Sequence, residues 1–463
     1  MAHPPRQRML AAAAAAAALA TVWLSGCATV VIDRPEAQLP APRNGGSEPS
    51  IVGAAGDPVD RQAADALGDL EDYWSEALPR VFGRPFVPLQ GGYFSVDADD
   101  VDPARYPQGV SCGSDPREVE NNAFYCPPQD LPNADSLTYD RAFLGELGAD
   151  YGAFLPALVM AHEFGHAVQA RVGPPPSSIA TETQADCLAG SWTRWVADGE
   201  AAHSRIRPSE LDELLRGYLL LRDPIGTSTG AQSAHGSYFD RVSAFQEGYD
   251  GGAEACRDRF GPDRPFTQTE FTRDDDFRNQ GNAPYRQLPD LIETSLPEFW
   301  EREFREIFGT TFDRPAIQPF DRTAPDCAPA DRDLVYCPDS DVVGYDETDL
   351  ARPAYDLGDF AVMTGVSIPY ALAVRDQLGL SIDDQDALRS AICLTGWYAA
   401  GVYEGVVRTV QISPGDLDES VQFLLTYGDD PSVLGDADLT GFQLVDLFRG
   451  GFVDGVRACD VGV

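Results

Sequence analysis

The chain has 463 residues, a hydrophobic fraction of 43% and a formal charge of −40, with 74 acidic against 34 basic residues and no lysine. Its length allows two or three domains, and its apolar content supports ordinary cores and argues against disorder over most of the chain. The acidity repels nucleic acid and anionic headgroups, so nucleic-acid binding and electrostatic membrane binding are not expected; it speaks for solubility and singles out no substrate.

At the start, Arg6 and Arg8 precede an apolar run from Met9 to Leu24 that ends in Leu24-Ser25-Gly26-Cys27. A basic start followed by an apolar stretch too short to span comfortably predicts an export signal over residues 1–26. The four final residues resemble a bacterial lipobox. That resemblance implies a lipid on Cys27 and a protein tethered to the outer face of the cell membrane, or held in the periplasm. An ordinary secretory signal is the alternative. Residues 27–58, rich in Pro, Ala, Gly and Ser, read as a flexible stalk. Nine cysteines less Cys27 leave eight, an even number that predicts disulfides in an oxidising compartment.

A first domain is expected over residues 59–262, of α+β class and predominantly helical. Ala63, Leu67, Leu70, Trp74 and Leu78 recur at helical steps and predict a helix ending before Gly83. Short strand-like pieces follow within 86–97 and 123–140, broken by Pro, Gly and Asp. The apolar run 154–161 then leads into His162-Glu163-Phe164-Gly165-His166, and Gly173 with three prolines behind it stops that helix. Histidines four apart lie on one helix face, one turn above the other, and can grip one metal ion with Glu163 beside it. In the next helix, with Thr181 the expected N-cap, Glu182 and Asp186 share the face of Ala185, Leu188, Ala189 and Trp192. Two inward carboxylates are costly unless a cation receives them, and zinc on His162 and His166 is the obvious one. Helices over 210–221 and 238–248 complete the domain.

His-Glu-x-x-His followed by Glu-x-x-x-Asp resembles the ligand pattern of the glutamate-zincin metallopeptidases. More narrowly, Glu182 to Gly190, Asn122 to Pro127, and His235-Gly236-Ser237 with Asp240-Arg241-Val242 are similar to the bacterial neutral zinc metallopeptidase family, over roughly residues 65–260. The resemblance implies a zincin-like domain with one Zn2+, acting on a peptide or protein substrate. With the spacing, it favours Glu182 over Asp186 as third ligand; Asp186 would hold the outer N–H of a ligating imidazole. It makes Glu163 the general base and His235 the oxyanion donor, with Tyr238 a second choice for that donor. Phe124 and Tyr125 would present a strand edge to an extended peptide, or else serve strand packing. The competing class is a zinc-stabilised, non-catalytic binding or scaffold lipoprotein, for which Glu163 would have no use. A third reading is an intact site that stays inactive until a segment is removed.

Residues 263–285 are charged and aperiodic and read as a linker. Beyond them, residues 286–463 repeat the first domain. Trp300 and Gly309 echo Trp74 and Gly83; Tyr336-Cys337-Pro338 echoes Tyr125-Cys126-Pro127; Cys393-Leu394-Thr395-Gly396 echoes Cys187-Leu188-Ala189-Gly190. From the metal helix to Cys187 the offset is a constant 206. It carries His162, Glu163, His166, Glu182 and Asp186 onto Ile368, Pro369, Leu372, Leu388 and Ile392. The expectation is two tandem homologous zincin-like domains, each with a small irregular sheet and a two-helix site, the second non-catalytic. Cys187 lies inside the site motif, but an open catalytic zinc already has three protein ligands, which favours a disulfide for it. Four equivalent cysteines per copy favour bridges within each copy: Cys112–Cys126, Cys187–Cys256, Cys327–Cys337 and Cys393–Cys459.

Overall fold

Short runs rich in aromatic and β-branched residues form two small sheets, and the long apolar-striped segments form the helices that cover them. The computed structural model describes residues 49–463 apart from Ser114 and Asp436; the expected export signal, Cys27 and the stalk as far as residue 48 lie outside the described residues. In chain order the first half comprises β1 (Ile51–Val52), α1 (Pro58–Ala77), β2 (Gly92–Val96), β3 (Ala123–Cys126), β4 (Ser136–Asp140), α2 (Arg141–Tyr151), α3 (Leu155–Val172), α4 (Ser178–Ala197), α5 (Pro208–Leu221) and α6 (Tyr238–Asp258). The short α7 (Asp274–Arg278) leads to α8 (Leu288–Phe308), β5 (Ala316–Phe320), β6 (Leu334–Cys337), β7 (Val342–Asp346) and the single turn α9 (Arg352–Ala354). The chain ends with α10 (Asp359–Gln377), α11 (Gln385–Tyr403), α12 (Asp416–Tyr427), the short α13 (Pro431–Leu434) and α14 (Gly441–Asp454). The class is α+β and predominantly helical.

The first sheet has the order β1-β2-β4-β3, with only β3 antiparallel to its neighbour. The second has the order β5-β7-β6, again with one parallel and one antiparallel pairing. Gly92 pairs with Ser136, and Ala316 pairs with Val342, so the central parallel pair recurs. Helix packing recurs more closely still. A Cβ on Gly190 of α4 would lie 2.0 Å from the Phe245 carbonyl oxygen of α6, and one on Gly248 of α6 only 1.8 Å from the Cys187 carbonyl. In α11 and α14 the same contacts run from Gly396 to Phe448, at 1.9 Å, and from Gly451 to Cys393, at 1.8 Å. Only glycine permits such backbone contact. All four expected disulfides form, and Cys187–Cys256 and Cys393–Cys459 staple these two crossings.

The halves also exchange caps. Asp212 of α5 accepts the Gly441 and Phe442 N–H groups at the start of α14, at 2.8 and 2.7 Å. Its counterpart Asp418 of α12 accepts the Phe239 N–H at the start of α6, at 2.9 Å. Each aspartate thus satisfies donors that a helix amino end leaves open in the other half. One apolar core runs without a break from Ala63 to Val461.

Three boundaries differ from the sequence expectations. Residues 51 and 52, read as stalk, pair with Tyr93 and Phe94 as β1, because β2 offers a free edge to the chain entering α1. The N-cap of α4 is Ser177, whose hydroxyl accepts the Ala180 N–H, in place of Thr181; Ser177 is the first residue after the proline run able to cap. The expected linker is fastened to both halves. Thr267 and Gln268 donate their N–H groups to Asp240 of α6, while Ala283 donates to Asp359 of α10. Among the described residues no helix is long and apolar enough to cross a membrane.

Candidate metal centre

Helix α3 is buried along most of its length, so its two histidines cannot face bulk water freely. Gly165, inside the motif, explains how α4 comes close: a Cβ there would lie 3.0 Å from the Cα of Ala185. The approach sets Glu182 against both rings. Its Oε2 lies 3.3 Å from His162 Nε2 and 3.4 Å from His166 Nε2.

The far nitrogens decide what these near ones are. His162 Nδ1 lies 2.8 Å from Asp186 Oδ1, and His166 Nδ1 lies 2.9 Å from Gln169 Oε1. The Gln169 amide cannot be turned over, because its Nε2 donates to the Thr181 carbonyl at 2.7 Å and to Gln184 Oε1 at 3.0 Å. Gln184 is fixed in turn by donating to the Cys256 carbonyl at 3.0 Å. Both imidazoles therefore carry their proton on Nδ1, and in the neutral ring Nε2 presents a lone pair. Two lone pairs and a carboxylate oxygen converge, three acceptors with no donor among them. A positive charge is what that arrangement requires, and two imidazoles with one carboxylate form a zinc-type donor set. The residues fit the ion that the sequence calls for.

Electrostatics carry the same sign. Burial disfavours the His162 imidazolium, but Asp186 and Glu182 outweigh it and push its pKa up to about 10. Burial likewise works against a charged Glu182, yet the two imidazoles, once protonated on Nε2 as well, hold it well below the usual carboxylate range; those protons bring the positive charge that a metal ion would otherwise supply. Asp186 is fully buried and gripped from behind by Arg241 of α6, Nε to Oδ2 at 2.8 Å and Nη2 to Oδ1 at 2.9 Å. Burial would raise the Asp186 pKa; Arg241 and His162 lower it. Arg241 also donates to the Leu221 carbonyl and lies over the Tyr218 ring, 5.6 Å from its centroid.

Glu163 sits one residue along α3, where burial raises its pKa against the opposing pull of the two imidazoles. Its Oε2 accepts the Tyr125 N–H of β3 at 2.9 Å, which fixes the carboxylate beside the metal position. Tyr125 thus serves the site through its backbone. Its hydroxyl is tied to Asp135 at 2.6 Å, and the residue also lines the cleft beside Phe124. Phe124 lines the cleft, a cavity of about 820 Å³ that also takes in His162, Glu163, His166, Glu182 and His235. His235 stands on the wall with Nδ1 3.0 Å from Asp223 Oδ1, and Asp223 Oδ2 accepts the His235 and Gly236 N–H groups. A carboxylate only accepts, so Nδ1 is the protonated nitrogen and donation into the cleft requires the doubly protonated ring. Tyr238, the second choice, is excluded: its buried hydroxyl donates to the Leu215 carbonyl at 2.8 Å, away from the cleft.

Three residues escape the sequence reading: Arg241, Gln169 and Asp223. Gln169 carried a signal, standing one turn after His166 on the same helix. Asp223 carried none; Arg241 stood in the Asp240-Arg241-Val242 stretch of the resemblance, but nothing there marked its pairing with Asp186, 55 residues away.

No protein-family model matches the chain, and no solved structure matches it. Curated relatives do. "Uncharacterized protein YpfJ" of Escherichia coli (strain K12) is 30% identical over 160 residues, which covers 30% of this chain and 54% of that protein. "Uncharacterized protein Rv2575" of Mycobacterium tuberculosis (strain ATCC 25618 / H37Rv) is 29% identical over 144 residues, 28% of this chain and 43% of that protein. The chain spans about half the length of the curated relatives it matches.

Proposed function

We propose that this protein is a zinc-dependent metallopeptidase of the neutral zinc metallopeptidase type, exported and held at the membrane by a lipid on Cys27, with its one site in the first half. The observation that carries the reading is the convergence of His162 Nε2, His166 Nε2 and Glu182 Oε2, with both outer nitrogens occupied and Glu163 alongside. His162, His166 and Glu182 would hold the ion, and zinc bound there supplies Lewis-acid activation of a water and of a scissile carbonyl. Asp186 and Gln169 orient the two rings, and Arg241 keeps Asp186 charged. Glu163, held by the Tyr125 N–H, takes the proton of the attacking water and returns it to the leaving amine. His235, on the cleft wall, is the donor to the oxygen on which charge develops. The substrate is a peptide or protein chain lying past Phe124.

The second half is a degenerate copy of the first. Its strand order, glycine contacts and disulfides follow the first half, whereas Ile368, Pro369, Leu372, Leu388 and Ile392 stand where the site would be. A Glu163→Gln variant tests the enzyme reading. Metal analysis should find one zinc per chain in both proteins, and cleavage of an unfolded protein should fall by about 10²–10⁴-fold in the variant. A chelator should abolish the wild-type activity. Full zinc with no cleavage by the wild type would favour the non-catalytic binding lipoprotein.

A further inference from the structure

A second group of converging carboxylates lies in the other half. Asp359 begins α10, Asp416 begins α12 and Glu419 follows one turn later; their exposures are 7%, 3% and 4%. One oxygen from each lies within 4.8 Å of the others. Their remaining bonds go to backbone N–H groups: Ala283 to Asp359 Oδ2 at 2.7 Å, Ser413 to Asp416 Oδ2 at 2.7 Å, and Phe360 to Glu419 Oε2 at 2.8 Å. Asp359 Oδ1 and Asp416 Oδ1 are buried and have no hydrogen-bond partner among the described residues. Nor is any of the three ion-paired among the described residues, although Asp418 beside them has Arg222 at 2.6 Å.

Buried acceptor oxygens without a donor, on three carboxylates without a counter-charge, are a costly arrangement. Burial raises the pKa of all three carboxyls. The backbone closes in on the group through two glycines at positive φ. A Cβ on Gly358 would fall 1.8 Å from the Glu419 carboxyl carbon, and one on Gly281 would lie 3.8 Å from Asp416 Oδ1 and 2.9 Å from the Pro414 carbonyl oxygen. A cavity of about 550 Å³, lined by Asp359 and Asp416, gives access from outside. The group belongs to the second half alone. At the constant offset its members answer to Ala153, Glu210 and Glu213, and Glu210 is occupied capping α5.

We infer that Asp359, Asp416 and Glu419 bind one calcium ion, which ties the amino ends of α10 and α12 to the turn around Gly281. The donors are all oxygen, the preference of a hard cation; nitrogen and sulfur ligands that would draw zinc are absent from the cluster. Magnesium keeps most of its water and suits a buried cluster of protein carboxylates less well.

The full chain, freed of divalent ions, is titrated with calcium chloride while heat uptake and unfolding temperature are followed. A His162→Ala variant runs in parallel to remove the first site. Both proteins should take up one equivalent of calcium, and the unfolding temperature should rise by roughly 4–10 °C at saturating calcium. Asp416→Asn supplies the discriminating arm. Without calcium it should unfold above the wild type, because a like charge is gone; with calcium the wild type should overtake it. Asp359→Asn should behave in the same way. No calcium-dependent shift in the wild type, or an unchanged shift in both asparagine variants, overturns the inference. So do asparagine variants that remain the more stable at every calcium concentration, since the carboxylates would then be sharing protons.

Discussion

At the scale of single residues, the pair Asp186–Arg241 separates the two halves most clearly. Both side chains are buried, and their counterparts in the second half are the fully buried Ile392 and Leu444. The helix crossing is therefore built once around a bidentate ion pair and once around two aliphatic side chains. Removing one partner leaves a buried charge unmatched, so Arg241→Leu alone should cost about 3–5 kcal/mol in urea unfolding. The double change Asp186→Ile with Arg241→Leu installs the second half's own solution and should recover most of that stability. It should also weaken zinc binding about 10–100-fold in a competition assay, because His162 loses the carboxylate that orients its ring. Recovered stability with unchanged zinc affinity would remove Asp186 from the account of the site. Half of this division was readable beforehand, since the constant offset already sets Asp186 against Ile392; the part played by Arg241 was not. The spacing of His162, His166, Glu182 and Asp186 was visible as helical periodicity, but a single arginine on another helix has no period, and its role depends on how α6 crosses α4.

At the scale of elements, the repeated glycine contacts set how closely each helix pair crosses. Neighbouring glycines of α14 should respond in opposite ways. Gly451 faces α11, and a Cβ would lie 1.8 Å from the Cys393 carbonyl oxygen, with backbone on both sides and no flexible side chain to yield. Gly451→Ala should therefore cost about 3 kcal/mol or more in thermal or urea unfolding. Gly450 meets nothing nearer than the Ala458 Cβ at 3.8 Å, so Gly450→Ala should add about 0.5–1 kcal/mol by the ordinary helix preference of alanine. Equal effects would mean that α14 does not approach α11 as described. Much at this level was legible. Helix α1 was marked by its apolar steps, α3 by its glycine-proline stop, and the four disulfides by two cysteine sets in the same order. What was not legible depends on partners distant in the chain. A two-residue strand such as β1 exists only because β2 lies beside it, and Ser177 reads as a cap only once the proline run is known to end the turn before α4.

At the scale of the whole molecule, the exchanged caps decide how the halves depend on each other. Asp418 lies in the second half, yet it accepts the Phe239 N–H in the first turn of α6, the helix that carries Arg241 and the staple to Cys187. Asp212 does the same for α14 from the first half. Neither aspartate stood out in the sequence, since an acidic residue near the start of an amphipathic helix is ordinary. Each half thus completes a helix end in the other, over a core shared by both. The intact chain should accordingly unfold in one calorimetric transition with matching calorimetric and van't Hoff enthalpies. Asp418→Ala should lower that single transition, at a cost of about 1–3 kcal/mol for the buried donor left open and more where Arg222 is stranded. The consequence reaches the metal centre, because a loosened α6 amino end no longer holds Arg241 against Asp186. Zinc affinity should fall in Asp418→Ala although the mutated residue belongs to the half that lacks the two histidines and Glu182. Two resolved transitions, with zinc binding untouched by Asp418→Ala, would show that the halves are independent and that the exchanged caps are incidental to the site.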